Sequence, residues 1–297
     1  MEKSKTILVI GQSGQLGKSL SFVAARYSSY VFFFVGRQQF DMADEASMRT
    51  FFANRKFDII INCAAYTSVD LAETDREAAN IINNTAVFWL SEIARDSGAR
   101  LIHISTDYVF DGKTYRPYRE VDQVKPVSLY GKSKFDGENA ILRTLPMNAI
   151  ILRTSWLYSE YGNNFLKTML SLGHKNAQLS IVSDQVGTPT YANDLAEVIL
   201  TIVQSELFSH GQFKSSIYHY SNEGVCSWFD FAKAIFELAD VKCSVYPIDT
   251  KDYPRPATRP FYSVLSKNKI KEHFQISIPH WRDSVEKCLC NLKKQEN

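Results

Sequence analysis

The 297-residue sequence has little cysteine, and what it has is unpatterned. Five cysteines stand at 63, 226, 243, 288 and 290, with no C-x-x-C pair. An odd, scattered set argues against a disulfide framework and against a zinc site. It suits a reducing compartment, so the cytoplasm is the expected location. Long apolar runs are also missing. The densest, VFFFV at 31–35, falls far short of the roughly 20 residues a membrane-crossing helix needs. The run TILVI leads straight into glycines and is too short for the apolar core of a secretory signal. No surplus of one charge exists either. Lys plus Arg number 34 and Asp plus Glu 32, which removes the usual reason to expect a nucleic acid or membrane-surface partner. No internal repeat or low-complexity segment is visible.

What is present is an ordinary globular balance, 45% hydrophobic and 22% charged, with chain enough for a large core. Up to about residue 155, short β-rich runs alternate with helical stretches. TILVI (6–10), YVFFFV (30–35), DIIINCA (58–64), ARLIHIS (99–105) and NAIILRT (148–154) read as buried strands. Helices are expected near 14–26, 44–54, 74–97 and 128–145, the third stopped by Gly98. Strands alternating with helices imply an α/β fold with a doubly wound parallel sheet of the Rossmann kind. Continuously apolar strands fit, because helices cover both sheet faces. After about 156 the rhythm loosens. Helices are expected over 163–173, 192–207 and 227–239, and a strand over 217–222. KDYPRPATRP (251–260) holds three prolines and cannot be regular structure.

IGQSGQLGKSL places Gly11, Gly14 and Gly17 between the first strand and the first helix. The spacing is G-x-x-G-x-x-G. The first glycine permits a tight turn, and the second lets backbone approach a pyrophosphate. The third lets helix pack on strand, with the helix N-terminus toward the phosphates. Gln12, Ser13, Gln15 and Leu16 share this turn. A NAD-selective site usually has an acid at the end of the second strand. Here Gly36 and Arg37 stand there. Arg37 suits a 2′-phosphate, which favours NADPH over NADH; an ordinary surface arginine is the other reading. Asp41 and Met42 follow and would line the adenosine pocket.

HISTDYVF (103–110) closes the fourth strand. Ligands of an open parallel sheet bind beyond the carboxyl ends of its strands, so Ser105 and Thr106 fall at the cleft mouth. Further on, VSLYGKSK carries Tyr130 and Lys134. Four helical residues advance about 400°, so the two project within roughly 40° of each other. A free tyrosine titrates near 10, and an adjacent ammonium moves it toward neutrality. A carbonyl held by Thr106 and Tyr130 would be polarised as hydride reaches its carbon, and Lys134 would also bond the nicotinamide ribose.

These motifs resemble the extended short-chain dehydrogenase/reductases, and within them the dTDP-4-dehydrorhamnose reductase family. The resemblance runs nearly end to end: GQSGQLG, NCAAYTSVDLAE (62–73), STDYVFDG (105–112), YGKSK, RTSWLY (153–158), SDQVGTPTYANDLA (183–196) and RPATRPFYSVL (255–265). It implies reduction of the 4-keto group of dTDP-4-dehydro-L-rhamnose to dTDP-L-rhamnose, with hydride from NADPH or NADH. By position Tyr130 would be the proton donor, Lys134 its activator and Thr106 the orienter of the keto oxygen. Ala64, Ala65, Tyr66 and Thr67 would line the cofactor. Val69, Asp70, Asp107 and Trp156 would face the nucleotide sugar, and Arg255 or Arg259 would take its diphosphate, or else form a structural salt bridge. Asn83 sits where this superfamily places a helix asparagine near the lysine; a backbone-bonded asparagine is the other reading. The resemblance also implies a Rossmann domain over 1–155, to which elements near 192–222 return, and a smaller, interleaved substrate-binding domain in the rest of 156–297.

Some members of the family dimerise through a magnesium ion bridged by glutamates, one just after the third glycine. Here that stretch reads GKSL, with no acid. A homodimer remains open, a metal-bridged one is not expected, and no metal is expected at the active site. Two other functions stay in view. One keeps the chemistry on a related nucleotide-linked 4-keto-deoxysugar. The other is non-catalytic, because the regulatory β subunit of methionine adenosyltransferase also resembles this family; loss of a triad residue would favour it, and Thr106, Tyr130 and Lys134 are all present.

Overall fold

Alternation of strand and helix builds the first half of the chain: β1 (Lys5–Ile10), α1 (Gln15–Ala24), β2 (Tyr30–Val35), α2 (Glu45–Ala53), β3 (Ile59–Asn62), α3 (Arg76–Asn80), α4 (Ala86–Ser97), β4 (Arg100–Thr106), α5 (Leu129–Thr144) and β5 (Ala149–Thr154). The second half has shorter pieces: β6 (Leu157–Tyr158), α6 (Phe165–Gly173), β7 (Gln178–Val182), β8 (Val186–Gly187), β9 (Thr190–Tyr191), α7 (Ala192–Gln204), α8 (Glu206–Ser209), β10 (Ser216–His219), β11 (Cys226–Ser227), α9 (Trp228–Ala239), β12 (Ser244–Ile248), α10 (Asn268–Phe274) and α11 (Trp281–Glu296). This computed structural model describes residues 4–209 and 211–296. Among them no helix is long and apolar enough to cross a membrane.

Six strands pair in parallel in the order β10-β5-β4-β3-β1-β2. The chain leaves β1 for the edge at β2, then crosses back to β3 on the other side. That reversal opens a crevice beyond the carboxyl ends of β1 and β3. Alternate residues of each strand serve opposite faces. Ile7, Val9, Ile59, Ile61 and Ile102 pack with Leu16 and Leu20 of α1, Leu195 and Ile199 of α7 and Phe274 of α10. Leu8, Ile10, Ile60, Leu101 and Ile151 face the other way, onto Met48 of α2, Leu90 of α4 and Ile141 of α5. Two covered faces explain the unbroken apolar runs of β1, β3 and β5; YVFFFV is expected to be buried as well, but β2 is an edge strand and leaves Val31 and Phe33 exposed. A separate cluster joins Leu166 of α6, Phe231 and Ile235 of α9 and Val285 of α11, beside the parallel pair β7–β12.

Two expected helices are interrupted. The stretch over 74–97 divides into α3, a π-helical turn over Ile81–Thr85, and α4. Asn83, buried in that turn, bonds the Tyr66 backbone and also donates to Ser133 Oγ at 3.0 Å, next to Lys134, and π turns concentrate near functional sites. Gly98 does end α4, at φ +74°. The stretch over 192–207 breaks at Ser205, whose backbone is extended and whose hydroxyl accepts from Phe208 N.

The sheet and α5 are joined by a buried ion pair. Arg153 of β5 grips Glu138 of α5 through Nε–Oε1 (2.8 Å) and Nη2–Oε2 (2.6 Å), and both side chains are at most 1% exposed. Removing one partner of such a pair strands the other charge, at a cost of about 3–5 kcal/mol. Glu138→Gln should therefore lose about 3–5 kcal/mol of stability in urea unfolding; an unchanged midpoint would show that Arg153 finds a substitute partner.

Candidate active site

The glycine turn lies at the crevice. Gly11 N and Gln12 N both donate to Val35 O, at 2.9 and 3.0 Å, which ties the turn to the end of β2. Gly11 takes φ +94°, a conformation glycine adopts without strain. A Cβ on Gly17 would lie 2.1 Å from Gly11 O, so the third glycine serves the close approach of helix to turn. Gly14 precedes α1 without a side-chain cap, and the first turn holds no acid. The open amides and the helix dipole therefore face the cleft uncancelled, a ready site for an anion.

The cleft has a volume of about 1070 Å³. Its walls include Gly11 through Leu16, then Arg37, Asp41 and Met42 beyond β2, and Ala64, Ala65, Thr67 and Val69 beyond β3. Ser105, Thr106, Asp107, Tyr130, Lys134 and Trp156 complete the set of anticipated residues. Gly17, Tyr66, Asp70 and Arg259 stand off the walls. Tyr66 is clamped by Asn83, which accepts from Tyr66 N (2.9 Å) and donates to Tyr66 O (3.0 Å). Asp70 and Arg259 grip each other in a two-pronged ion pair, Nη1–Oδ1 2.8 Å and Nη2–Oδ2 2.9 Å. The Arg259 guanidinium holds the Asp70 carboxyl below its ordinary range. Of the two readings for the arginines, the salt bridge is the one present at Arg259. Arg255 lies instead over the Tyr253 ring.

Tyr130 enters from the first turn of α5, where Ser128 caps the helix by accepting from Gly131 N at 3.1 Å. Tyr66, Val69 and Tyr108 pack around it. Burial pushes the Tyr130 phenol up to about 12, the Thr106 hydroxyl pulls it part-way back, and the Asp107 charge raises it again. At neutral pH it is a protonated phenol. Thr106 Oγ1 donates to Asp107 Oδ1 at 3.1 Å. Asp107 is only 2% exposed; burial pushes its carboxyl up to about 6, against the pull of the Ser263 and Thr106 hydroxyls. Lys134 Nζ donates to Ile104 O at 2.6 Å and lies 3.2 Å from His103 Nε2. Ser105 turns inward, donating to Glu138 Oε1 at 2.5 Å.

Other residues went unread in the sequence. Trp228 stacks on Trp156, ring centres 3.6 Å apart and planes 10° off parallel, and both line the cleft. Trp156 itself sits at φ +47°, a costly conformation for a bulky side chain. The two tryptophans are 72 positions apart, so no local pattern could have paired them. Asn163 also reaches the wall without a motif, and Thr154 does so from within RTSWLY, where only Trp156 was given a role.

The family model of the RmlD substrate binding domain matches residues 5–294. A dTDP-4-dehydrorhamnose reductase of Sinorhizobium fredii is 39% identical over 290 residues, 96% of this chain and 97% of that protein. The chain belongs to the dTDP-4-dehydrorhamnose reductase family. The spore coat polysaccharide biosynthesis protein SpsK of Bacillus subtilis is 40% identical over 95% of this chain and 96% of its own. Among solved structures, the dTDP-4-dehydrorhamnose reductase of Bacillus anthracis in complex with NADP is 35% identical, with a TM-score of 0.91, covering 97% of this chain and 100% of that one.

Gly131, between Tyr130 and Lys134, has a steric reason. A Cβ there would lie 2.2 Å from Tyr108 O and 3.2 Å from Pro126 Cβ. The neighbour that needs the room is the turn after β4, which starts at Asp107, next to Thr106. At an open helix position alanine gains about 1 kcal/mol over glycine. Here Gly131→Ala should instead lose about 1–3 kcal/mol by forced overpacking, read as a lowered urea midpoint; a gain would show that the helix start is free to shift.

Proposed function

We propose that this protein reduces the 4-keto group of dTDP-4-dehydro-L-rhamnose to dTDP-L-rhamnose with NADPH, or NADH, as hydride donor. Family membership over almost the whole chain supports this reading. The observation that carries it is a protonated, buried Tyr130 beside Thr106, on the wall of a cleft that also holds an uncapped helix N-terminus.

The residues present fit a nicotinamide dinucleotide. The open end of α1 would take the diphosphate. Arg37 lies on the same wall and would pair with a 2′-phosphate. When bound, the nicotinamide would supply hydride for the carbonyl carbon. Tyr130 then gives its phenolic proton to the carbonyl oxygen as that oxygen gains charge, a task of general acid catalysis. Thr106 donates to the same oxygen and orients it, giving up its bond to Asp107. Lys134 would place its charge near the phenolate and bond the ribose. Val69, Asp107 and the Trp156–Trp228 stack face the sugar side. Asp70 and Arg259 act together, fastening the proline-rich 251–260 segment to the loop after β3. In this arrangement residues 1–155 with 192–222 serve the cofactor, and the rest of 156–297 serves the sugar nucleotide.

Purified protein given the keto sugar made in situ should consume NADPH, seen as loss of the reduced cofactor's absorbance. No loss with either cofactor overturns the assignment, and loss only with another keto-deoxysugar nucleotide redirects it. Tyr130→Phe should cut kcat by about 10²–10⁴-fold while cofactor affinity stays near that of the parent. A near-parental kcat removes Tyr130 as the acid. Arg37→Ala should raise KM for NADPH and leave that for NADH nearly unchanged; equal effects would show that the guanidinium does not read the phosphate.

A further inference from the structure

Behind the cleft wall, two buried side chains that the proposed hydride transfer does not use lead in a line to Lys134, which lies on that wall. Asn62 closes β3, His103 lies within β4 and Lys134 on α5, with exposures of 0%, 0% and 2%. His103 Nδ1 lies 3.1 Å from Asn62 Nδ2, and His103 Nε2 lies 3.2 Å from Lys134 Nζ.

The protons in this line can be placed by donor and acceptor accounting. The backbone N–H of Ala64 can only donate, and it meets the Asn62 side chain at 3.1 Å. The atom it meets must be the amide oxygen. The amide nitrogen is thereby turned to the imidazole, where it can only donate. His103 Nδ1 must accept. Burial, the largest cause, holds His103 well below its ordinary value, so the ring is neutral and carries its single proton on Nε2. That N–H points at Lys134 Nζ. An ammonium has three donors and no acceptor, so two donors would oppose each other. An amine accepts from Nε2–H through its lone pair and still donates to Ile104 O.

We propose that Asn62 and His103 form a receptor for the neutral amine of Lys134, and that binding an anionic dinucleotide draws a solvent proton onto that amine and releases it toward the cofactor. The second half rests on the cofactor reading above; the first concerns the free protein alone. The groups facing Lys134 agree with it. Glu138, one turn on along α5, is already paired with Arg153 of β5. The Cys63 thiol, beyond β3, is pushed up by burial and uncharged. The Tyr130 phenol, one turn back, is protonated. No unpaired negative charge among them is left to hold an ammonium. Burial brings Lys134 down to about 8, against the upward pull of the Glu138 carboxylate. The cofactor phosphates supply the missing charge and favour the ammonium. Lys134 therefore titrates lower free than bound, so uptake is small well below pH 8 and grows above it.

Long-range ¹H–¹⁵N correlation spectra of the free protein at about pH 9 read the tautomer directly, with His103→Gln assigning the ring among six histidines. A proton on Nε2 and a bare Nδ1 are expected; a proton on Nδ1, or on both, overturns the receptor. Calorimetric titration with NADPH in two buffers of different ionisation enthalpy counts protons. Uptake should approach about one per site near pH 9 and vanish near pH 6; none at pH 9 overturns the coupling. His103→Gln, whose amide oxygen accepts from an ammonium, should lose at least half of that uptake. If the variant does not fold, the two parental readouts still decide. Failure to reduce the keto sugar would sink only the substrate assignment, and failure to bind NADPH only the cofactor reading, while the tautomer decides the receptor.

Discussion

The ion pair between Glu138 and Arg153 is the constraint on which the site depends. Helix α5 must lie with one face against the ends of β4 and β5, at a fixed rotation. Apolar packing alone tolerates small slides. A two-pronged carboxylate–guanidinium pair sealed from water does not, because a shifted pair leaves buried charge unmatched. Tyr130, Lys134 and Glu138 follow one another at intervals of four along α5, and their exposure falls from 9% to 2% to 0%. The deep end of that stripe is fixed by Arg153, so the outer end, with the phenol, is fixed too. Ser105 bonds the same carboxylate, which puts the neighbouring Thr106 in register with Tyr130.

The electrostatics of the cleft follow from what is left uncompensated. At one end, α1 presents open amides with no acid in its first turn. At the other, burial keeps Tyr130 protonated and pushes the carboxyl of Asp107 up to about 6. An anionic ligand meets positive potential at the turn and a dry, hydrogen-bonding surface at the reacting end. Low dielectric strengthens each of those bonds once water is excluded.

Much of this was legible in the sequence because it is local. A buried strand shows as an apolar run, a tight turn as glycine, and helical neighbours as a spacing of four. The turn from Gly11 to Gly17, the strand-end Thr106 and the pair Tyr130 and Lys134 all have this character, and the cleft gathers them. The parts that escaped depend on partners far apart in the chain. Trp156 finds Trp228 only after the second half has folded back, and Asp70 finds Arg259 across 189 positions. Read alone, Trp156 and Asp70 pointed to the nucleotide sugar, Arg259 to a diphosphate or a salt bridge, and Trp228 to nothing; no local pattern names their partners. The π turn at Ile81–Thr85 also leaves no periodic trace, since one wide turn barely shifts the apolar stripe on either side of it.

Gly131 shows how the local and distant constraints meet. Its missing side chain lets the start of α5 touch the turn after β4, and that contact sets the distance between the Thr106 hydroxyl and the Tyr130 ring. Helix propensity would favour almost any other residue there. The close approach outweighs it, because a Cβ 2.2 Å from a carbonyl oxygen would have to push two rigid elements apart. Such a push would be resisted at the far end of the helix, where Glu138 is held. The strain would therefore appear as a tilt of α5 that opens the gap between phenol and hydroxyl, the two groups that must reach one oxygen atom together.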